Sequence, residues 1–153
     1  MTAVVADTHT RIWYIVEPQR LSENALLSLD QASDIGQSIY ISTISIVEIS
    51  YLVEKNRLPE LVLQRLLSVC DTSNASIVSV SLNRTIAEVL RQINRDTVPD
   101  MPDRIIAATA LYLNLPLVTR DAKIQALAEI DTIWEKSLSI FERCPVYFMF
   151  TWH

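Results

Sequence analysis

Glycine is almost absent from this chain: Gly36 is the only one in 153 residues. A phosphate-cradling P-loop and the dinucleotide-binding fingerprint each need several glycines for close backbone approach, so both are excluded. Histidine and cysteine are scarce as well. His9, His153, Cys70 and Cys144 fall in no spacing that builds a zinc site, which takes three or four such ligands. A Ser-His-Asp hydrolase would have only His9 or the terminal His153 to use. Two cysteines make no disulfide framework, and a chain of this length can bury a sizeable core without one. A reducing, cytoplasmic setting is therefore the expectation.

Long apolar runs are missing too. The longest are five residues, Ile12 to Val16 and Val146 to Phe150, too short to cross a bilayer. Asp7 and Arg11 interrupt the N-terminal stretch, so no signal peptide is expected. A basic excess is also lacking, since the net charge is −5. That argues against a protein that coats nucleic acid by charge alone. It leaves room for an enzyme whose acidic cluster takes up divalent metal before a phosphate approaches. Chemistry in this chain must rest on carboxylates, hydroxyls or arginines.

What is present is a hydrophobic half, 50% of residues, arranged in alternating strand-like and helix-like segments. Ala3 to Ala6 reads as a short buried strand, and helical segments follow over Thr8–Val16 and Ser22–Ala32. Ser38–Ser42 is a second strand, Ile44–Asn56 a helix, and Pro59 opens another with Leu61, Leu63, Leu66, Leu67 and Cys70 on its apolar side. A third strand spans Ala75–Val80. A helix over Leu82–Asn94 carries Arg84, Glu88, Arg91 and Arg95 along one face. Pro102 starts a helix to Leu113 that is apolar or small on most sides, as a helix lying against a sheet would be. Strand Pro116–Thr119, a short helix from Ala122 and strand Thr132–Trp134 complete the unit. The alternation predicts one α/β domain over residues 1–134, with a parallel sheet covered on both faces. Residues 135–153 break the rhythm. Cys144-Pro145 stops any helix over Leu138–Arg143, and the run Val146–Phe150 is expected to pack on the domain or on a second copy.

Four acids stand out. In an open α/β sheet, ligands bind outside the carboxyl ends of the strands, near the point where strand order reverses. Asp7 directly follows the first strand and Asp121 follows the fourth. Each could equally be an ordinary helix cap. Asp103 lies at the start of the alanine-rich helix, where the helix dipole is expected to keep it ionised. Asp100 on the same loop is a second acid or the helix N-cap. Glu48 lies mid-helix on a face shared with Ile44 and Leu52, where a carboxylate is costly unless paired or metal-bound. Its alternative is a pair with Lys55. Clustered carboxylates repel one another unless cations intervene, and hard oxygen ligands select Mg²⁺ or Mn²⁺. Such ions serve phosphoryl chemistry. Arg104 and Arg120 adjoin two of the acids and are candidates for phosphate contact or for structural pairing. The Arg84, Arg91, Arg95 stripe is a candidate for RNA backbone contact or a solvated face.

Taken in order, Val-Val-Ala-Asp7-Thr8-His9, Ile-Ser-Ile-Val-Glu48-Ile, Pro102-Asp103-Arg104-Ile-Ile-Ala-Ala-Thr-Ala and Leu-Val-Thr119-Arg120-Asp121 resemble the PIN-domain family, closest in pattern to VapC-type toxins. The resemblance spans Ala3 to Trp134. It implies a three-layer α/β/α fold around about five parallel strands. It implies a Mg²⁺- or Mn²⁺-dependent ribonuclease held inactive by an antitoxin protein, and homodimers. By position, Asp7, Glu48, Asp103 and Asp121 match the family's acidic quartet, and Thr8 and Thr119 match hydroxyls that orient it. The segment after Trp134 departs from the family pattern.

Rival readings lack their marks. A haloacid-dehalogenase-like phosphatase would carry a second aspartate two residues after Asp7, where His9 stands. A receiver domain would carry its aspartate after the third strand, where Ser79, Val80 and Ser81 stand. A non-catalytic domain of the same fold that binds protein partners is the alternative from another class.

Overall fold

The computed structural model describes residues 3–34, 36–72 and 76–135. Five strands form one sheet: β1 (Val4–Ala6), β2 (Ile39–Ser42), β3 (Ile77–Val80), β4 (Leu117–Val118) and β5 (Thr132–Ile133). All pairings are parallel, in the order β3-β2-β1-β4-β5. The chain winds outward from β1 to β3, then returns and continues from β4 to β5. Strand order therefore reverses between β1 and β4, whose registers pair Val5 with Leu117 and Ala6 with Val118. A crevice opens at that switch point, beyond the carboxyl ends of the two strands.

The helices are α1 (Thr8–Val16), α2 (Glu23–Asp34), α3 (Thr43–Glu54), α4 (Glu60–Asp71), α5 (Arg84–Val89), α6 (Met101–Leu113) and α7 (Ala122–Gln125). They cover both faces of the sheet, as the expected three-layer architecture requires. The alternation of side chains along a strand splits the core accordingly. Val4 and Ala6 face one cluster with Ile12, Leu29, Ile49 and Leu66. Val5 faces the other, with Ile86, Ile106, Ala107, Ala110 and Ile124. Ala107, Ala108 and Ala110 are fully buried, so α6 lies close against the sheet as its small residues predict.

With one glycine available, asparagine takes over the left-handed helix ends. Asn56 closes the turn after α3 at φ 58° and Asn114 caps α6 at φ 54°. In both places the next amide bonds back across the helix end: Arg57 N–H to Leu52 O at 2.9 Å, and Leu115 N–H to Ala110 O at 3.1 Å. These are Schellman closures, in which asparagine tolerates the conformation that glycine usually supplies.

Most elements fall within a residue or two of the expected bounds. The helix expected over Leu82–Asn94 does not run through. It is α-helical only over Arg84–Val89, followed by a 3₁₀ turn over Leu90–Gln92. Asn94 accepts the amides of Asp96 and Thr97 through its Oδ1, which turns the chain away. The Arg104 guanidinium fills the end of the helix, with Nη2 donating to Leu90 O and Ile93 O, both at 3.0 Å. Helix α2 runs to Asp34, two residues past expectation. Residues 136–153 lie outside the described residues, and with them the expected helical segment over 138–143 and the apolar run 146–150. Among the described residues no helix is long and apolar enough to cross a membrane.

Candidate active site

The switch-point crevice is a cavity of about 530 Å³ lined by Asp7, Thr8, His9, Trp13, Glu48, Asp100, Asp103, Arg120 and Asp121. Every acid singled out in the sequence lines it, although the five come from the ends of β1 and β4, the middle of α3 and the start of α6.

Asp7 leaves β1 and caps α1, its Oδ1 accepting the Thr10 amide at 2.8 Å. The cap and the site are thus the same residue, rather than alternatives. Its other oxygen, Oδ2, accepts a short hydrogen bond from the Thr119 hydroxyl. Thr119 Oγ1 in turn accepts the Asp121 amide at 3.0 Å. One fully buried hydroxyl therefore ties the end of β1 to the turn after β4. Asp121 caps α7, accepting the amides of Lys123 and Ile124 at 2.8 and 3.1 Å.

Glu48 sits beside the buried face of α3, formed by Ser45 and Ile49. It does not pair with Lys55, whose ammonium lies 4.4 Å over the Tyr51 ring. Instead Thr8 Oγ1 donates to Glu48 Oε1 at 2.6 Å. Thr8 has one proton to give, so its 2.9 Å contact with the Ser45 hydroxyl has Ser45 as the donor. A Ser45–Thr8–Glu48 chain results, crossing from α3 to α1 and back. Ser45 escaped the sequence reading. The signal that could have found it is its place three residues before Glu48, on the same helical face.

Asp100 is the N-cap of α6, its Oδ2 accepting the Asp103 amide at 3.1 Å. Asp103, half-buried one turn in, faces the cavity. Burial pushes its carboxyl up to about 7, and the charges of Asp100, Asp121, Glu48 and Asp7 add to the rise. Desolvation and four like charges thus work against the helix end that was expected to keep Asp103 ionised. Burial also raises Glu48, against the pull of its Thr8 hydrogen bond, with Asp100 and Asp7 adding to the rise.

The two candidate arginines part company. Arg120 lines the cavity, with its guanidinium 5.8 Å over the Trp13 ring. Arg104 is not among the lining residues and is committed to the Leu90 and Ile93 carbonyls, so it is a structural group whose partners are carbonyls rather than an acid. Arg84 pairs with Glu88 at 2.9 Å on an exposed face and lines no part of the cavity. The sequence reading also missed the aromatic wall: Trp13 packs against His9 at 5.8 Å and Trp134 at 6.2 Å between ring centroids.

The cavity's oxygen-rich donor set suits a hard divalent cation such as Mg²⁺ or Mn²⁺. Among the described residues, no three acidic, histidine or cysteine side chains converge closely enough to clasp one ion as they stand. Burial raises the Asp103 and Glu48 carboxyls, and like charge nearby adds to the rise. A cation would offset that like charge, so the residues fit the group.

This chain is 29% identical over 126 residues to Ribonuclease VapC22 of Mycobacterium tuberculosis (strain ATCC 25618 / H37Rv), covering 82% of this chain and 92% of that one. Its fold is similar to that of VapBC2 from Rickettsia felis, solved bound to a DNA fragment from their promoter. There the TM-score is 0.66 at 16% identity, covering 86% of this chain and 97% of the other. FitAcB from Neisseria gonorrhoeae is similar at a TM-score of 0.54 and 24% identity, covering 84% and 95%. The sequence profile of the PIN domain matches residues 4–130, from the first strand to the turn before the last. On that match, the five-stranded sheet and its acid-lined crevice are those of a family member: the chain belongs to the PIN domain family.

Proposed function

We propose that this protein is a divalent-metal-dependent endoribonuclease, the toxin of a toxin–antitoxin pair, with Asp7, Glu48, Asp103 and Asp121 as its acidic quartet. The observation that carries the reading is the convergence of these four acids, with Asp100, on one cavity at the sheet's switch point. The likeness to a VapC ribonuclease and to toxin–antitoxin structures supports it.

Asp7, Glu48, Asp103 and Asp121 would hold Mg²⁺ or Mn²⁺. When bound, such an ion supplies Lewis acidity, making water a better nucleophile and offsetting charge that builds on a phosphate. The chain's own residues prepare that site. Thr119 fixes Asp7 through Oδ2, and the Thr10 amide fixes it through Oδ1, so this carboxylate is locked in orientation. The Ser45–Thr8 pair holds Glu48 Oε1 in the same way. Hydroxyls that aim ligand carboxylates set both geometry and affinity. The Asp103 carboxyl, pushed up to about 7 by burial and like charge, is partly protonated at neutral pH, and a bound cation would favour its ionised form. Asp100 adds negative charge at the rim, and Arg120 supplies positive charge beside it. The proposal extends to a protein antitoxin as partner, a homodimer, a cytoplasmic setting, and a division into a nuclease domain over 1–134 and a C-terminal extension over 135–153.

The test is cleavage of a mixed RNA pool with and without Mg²⁺ or Mn²⁺, with Asp7→Asn as control. Metal-dependent cleavage by the wild type and none by the variant is the expected result. No cleavage by the wild type at saturating metal, or equal cleavage by Asp7→Asn, overturns the reading.

A further inference from the structure

Five carboxylates around one cavity repel a polyanion, and the whole chain carries a net charge of −5. An RNA strand therefore needs local cations to approach. Among the described residues that line the cavity, Arg120 is the only arginine or lysine. Arg104 is engaged with two backbone carbonyls, Arg84 with Glu88, and Arg11 is buried at 4% exposure, while the exposed Arg57, Arg65, Arg91 and Arg95 line no part of the cavity. One further guanidinium does stand at this edge. Arg20 lies 5.4 Å over the same Trp13 ring that carries Arg120 at 5.8 Å.

We propose that Arg20 and Arg120, both held on Trp13, form a clamp for backbone phosphates of single-stranded RNA at the edge of the acidic cavity. The proposal rests on the ribonuclease reading above and names how that site takes its substrate. A guanidinium stacked on an aromatic ring keeps its N–H fork in plane and available, and the fork matches two phosphate oxygens. Trp13 is itself held in place by Trp134, which is buried and whose carbonyl accepts from the Ser22 hydroxyl at 2.8 Å. Among the described residues, the one ion pair of Arg20 is an exposed 3.4 Å contact with Glu17, which a phosphate can replace. With guanidiniums over its ring, Trp13 is a positioning residue and phosphates, not bases, are what this edge reads. A second cavity of about 270 Å³ shares Asp100, Asp103 and Asp121 with the first and is lined by Lys123. The three shared acids thus have Lys123 as well as Arg120 among the residues that line their cavities.

The test is the salt dependence of binding of a labelled single-stranded RNA, followed by fluorescence anisotropy in an Asp103→Asn background that leaves the RNA intact. Each phosphate contact removed lowers the slope of log K against log salt by about 0.7 for a single strand. Arg120→Gln is expected to lower it by that amount, and Arg20→Gln with Arg120→Gln by about twice as much. Trp13→Leu is expected to weaken binding and lower the slope, and Trp13→Phe to restore both. Arg84→Gln, at a residue that lines neither cavity, is the control and leaves the slope unchanged. An unchanged slope in the double arginine variant, an equal drop in Arg84→Gln, or no RNA binding by the Asp103→Asn parent overturns the clamp. The two arginines are exposed, so their variants keep the test decisive even if Trp13→Leu fails to fold. The ribonuclease reading fails separately, on absence of metal-dependent cleavage by the wild type.

Discussion

The two walls of the acidic cavity hold their carboxylates differently. On the wall built by β1, α1 and α3, negative charge is met by donors: Thr119 and the Thr10 amide on Asp7, and Thr8 on Glu48. On the wall built by the start of α6, the Asp103 carboxylate accepts no hydrogen bond among the described residues, and its pKa rises to about 7. A carboxylate beside donors is held in one orientation and is costly to alter. One that is desolvated amid like charge gains from anything that neutralises it. The first wall is a fixed template, and the second is where cation uptake is most strongly driven.

The largest effect should come from the charge itself. Asp103→Asn is expected to keep the circular dichroism spectrum of the wild type and to lower metal-dependent RNA cleavage by more than about 100-fold, since residues that merely orient metal ligands already contribute 10–100-fold. Retained cleavage at saturating metal would remove Asp103 from the quartet.

Thr119→Val should come next. It removes the donor to Asp7 and the acceptor of the Asp121 amide while keeping the side-chain shape. Cleavage is expected to fall by about 10–100-fold, with Thr119→Ser recovering most of it. Melting should show a loss of about 1–3 kcal/mol, because a buried carboxylate oxygen and an amide both lose a partner. A Val variant as active as wild type would show that the template wall needs no such fixing.

Stability without metal separates the walls by sign. Asp103→Asn is expected to raise the melting temperature of the metal-free protein at pH 8, whereas Asp7→Asn is expected to lower it, because an amide cannot accept on both sides as Asp7 does. The same sign if both variants were stabilised, or both destabilised, would break the comparison.

The pH dependence follows from Asp103. Its folded pKa of about 7 lies above the ordinary 3.8, so the folded state holds the proton more tightly than the unfolded chain. This group's stabilising contribution is present at low pH and is lost as pH rises toward 7. The melting-temperature advantage of Asp103→Asn over wild type should therefore grow between about pH 4 and pH 7 and level off above. Addition of Mg²⁺ or Mn²⁺ should raise the wild-type melting temperature, by an amount equivalent to about 2.7 kcal/mol at 100 times the dissociation constant. A flat pH profile for the difference would show that Asp103 does not feel its neighbours.

The sequence was legible where a residue's place in the chain determines its place in the fold. Asp7 and Asp121 follow strand ends, and parallel strands order those ends at one edge. Asp103 opens a helix whose alanines demand close packing, which brings its N-terminus to the same edge. Glu48 stood out as a charge among apolar neighbours. What stayed hidden depends on contacts between distant segments. The Thr8 hydroxyl reaches across 40 positions to Glu48, and Thr119 reaches back 112 to Asp7. The split of the helix after Val89 was hidden for the same reason, because its end is filled by Arg104 from another helix. The gathering of Arg20, Arg120, His9 and Trp134 around Trp13 joins the first turns of the chain to its last strand, and no local pattern announces it.

The most direct test of the acidic cavity as a metal site is diffraction from crystals grown with Mn²⁺, measured for anomalous scattering. A Mn²⁺ peak coordinated by oxygens of Asp7, Glu48, Asp103 or Asp121 is the predicted result, with Thr119 and Thr8 still holding Asp7 and Glu48. No anomalous density in the cavity at saturating Mn²⁺ would contradict it.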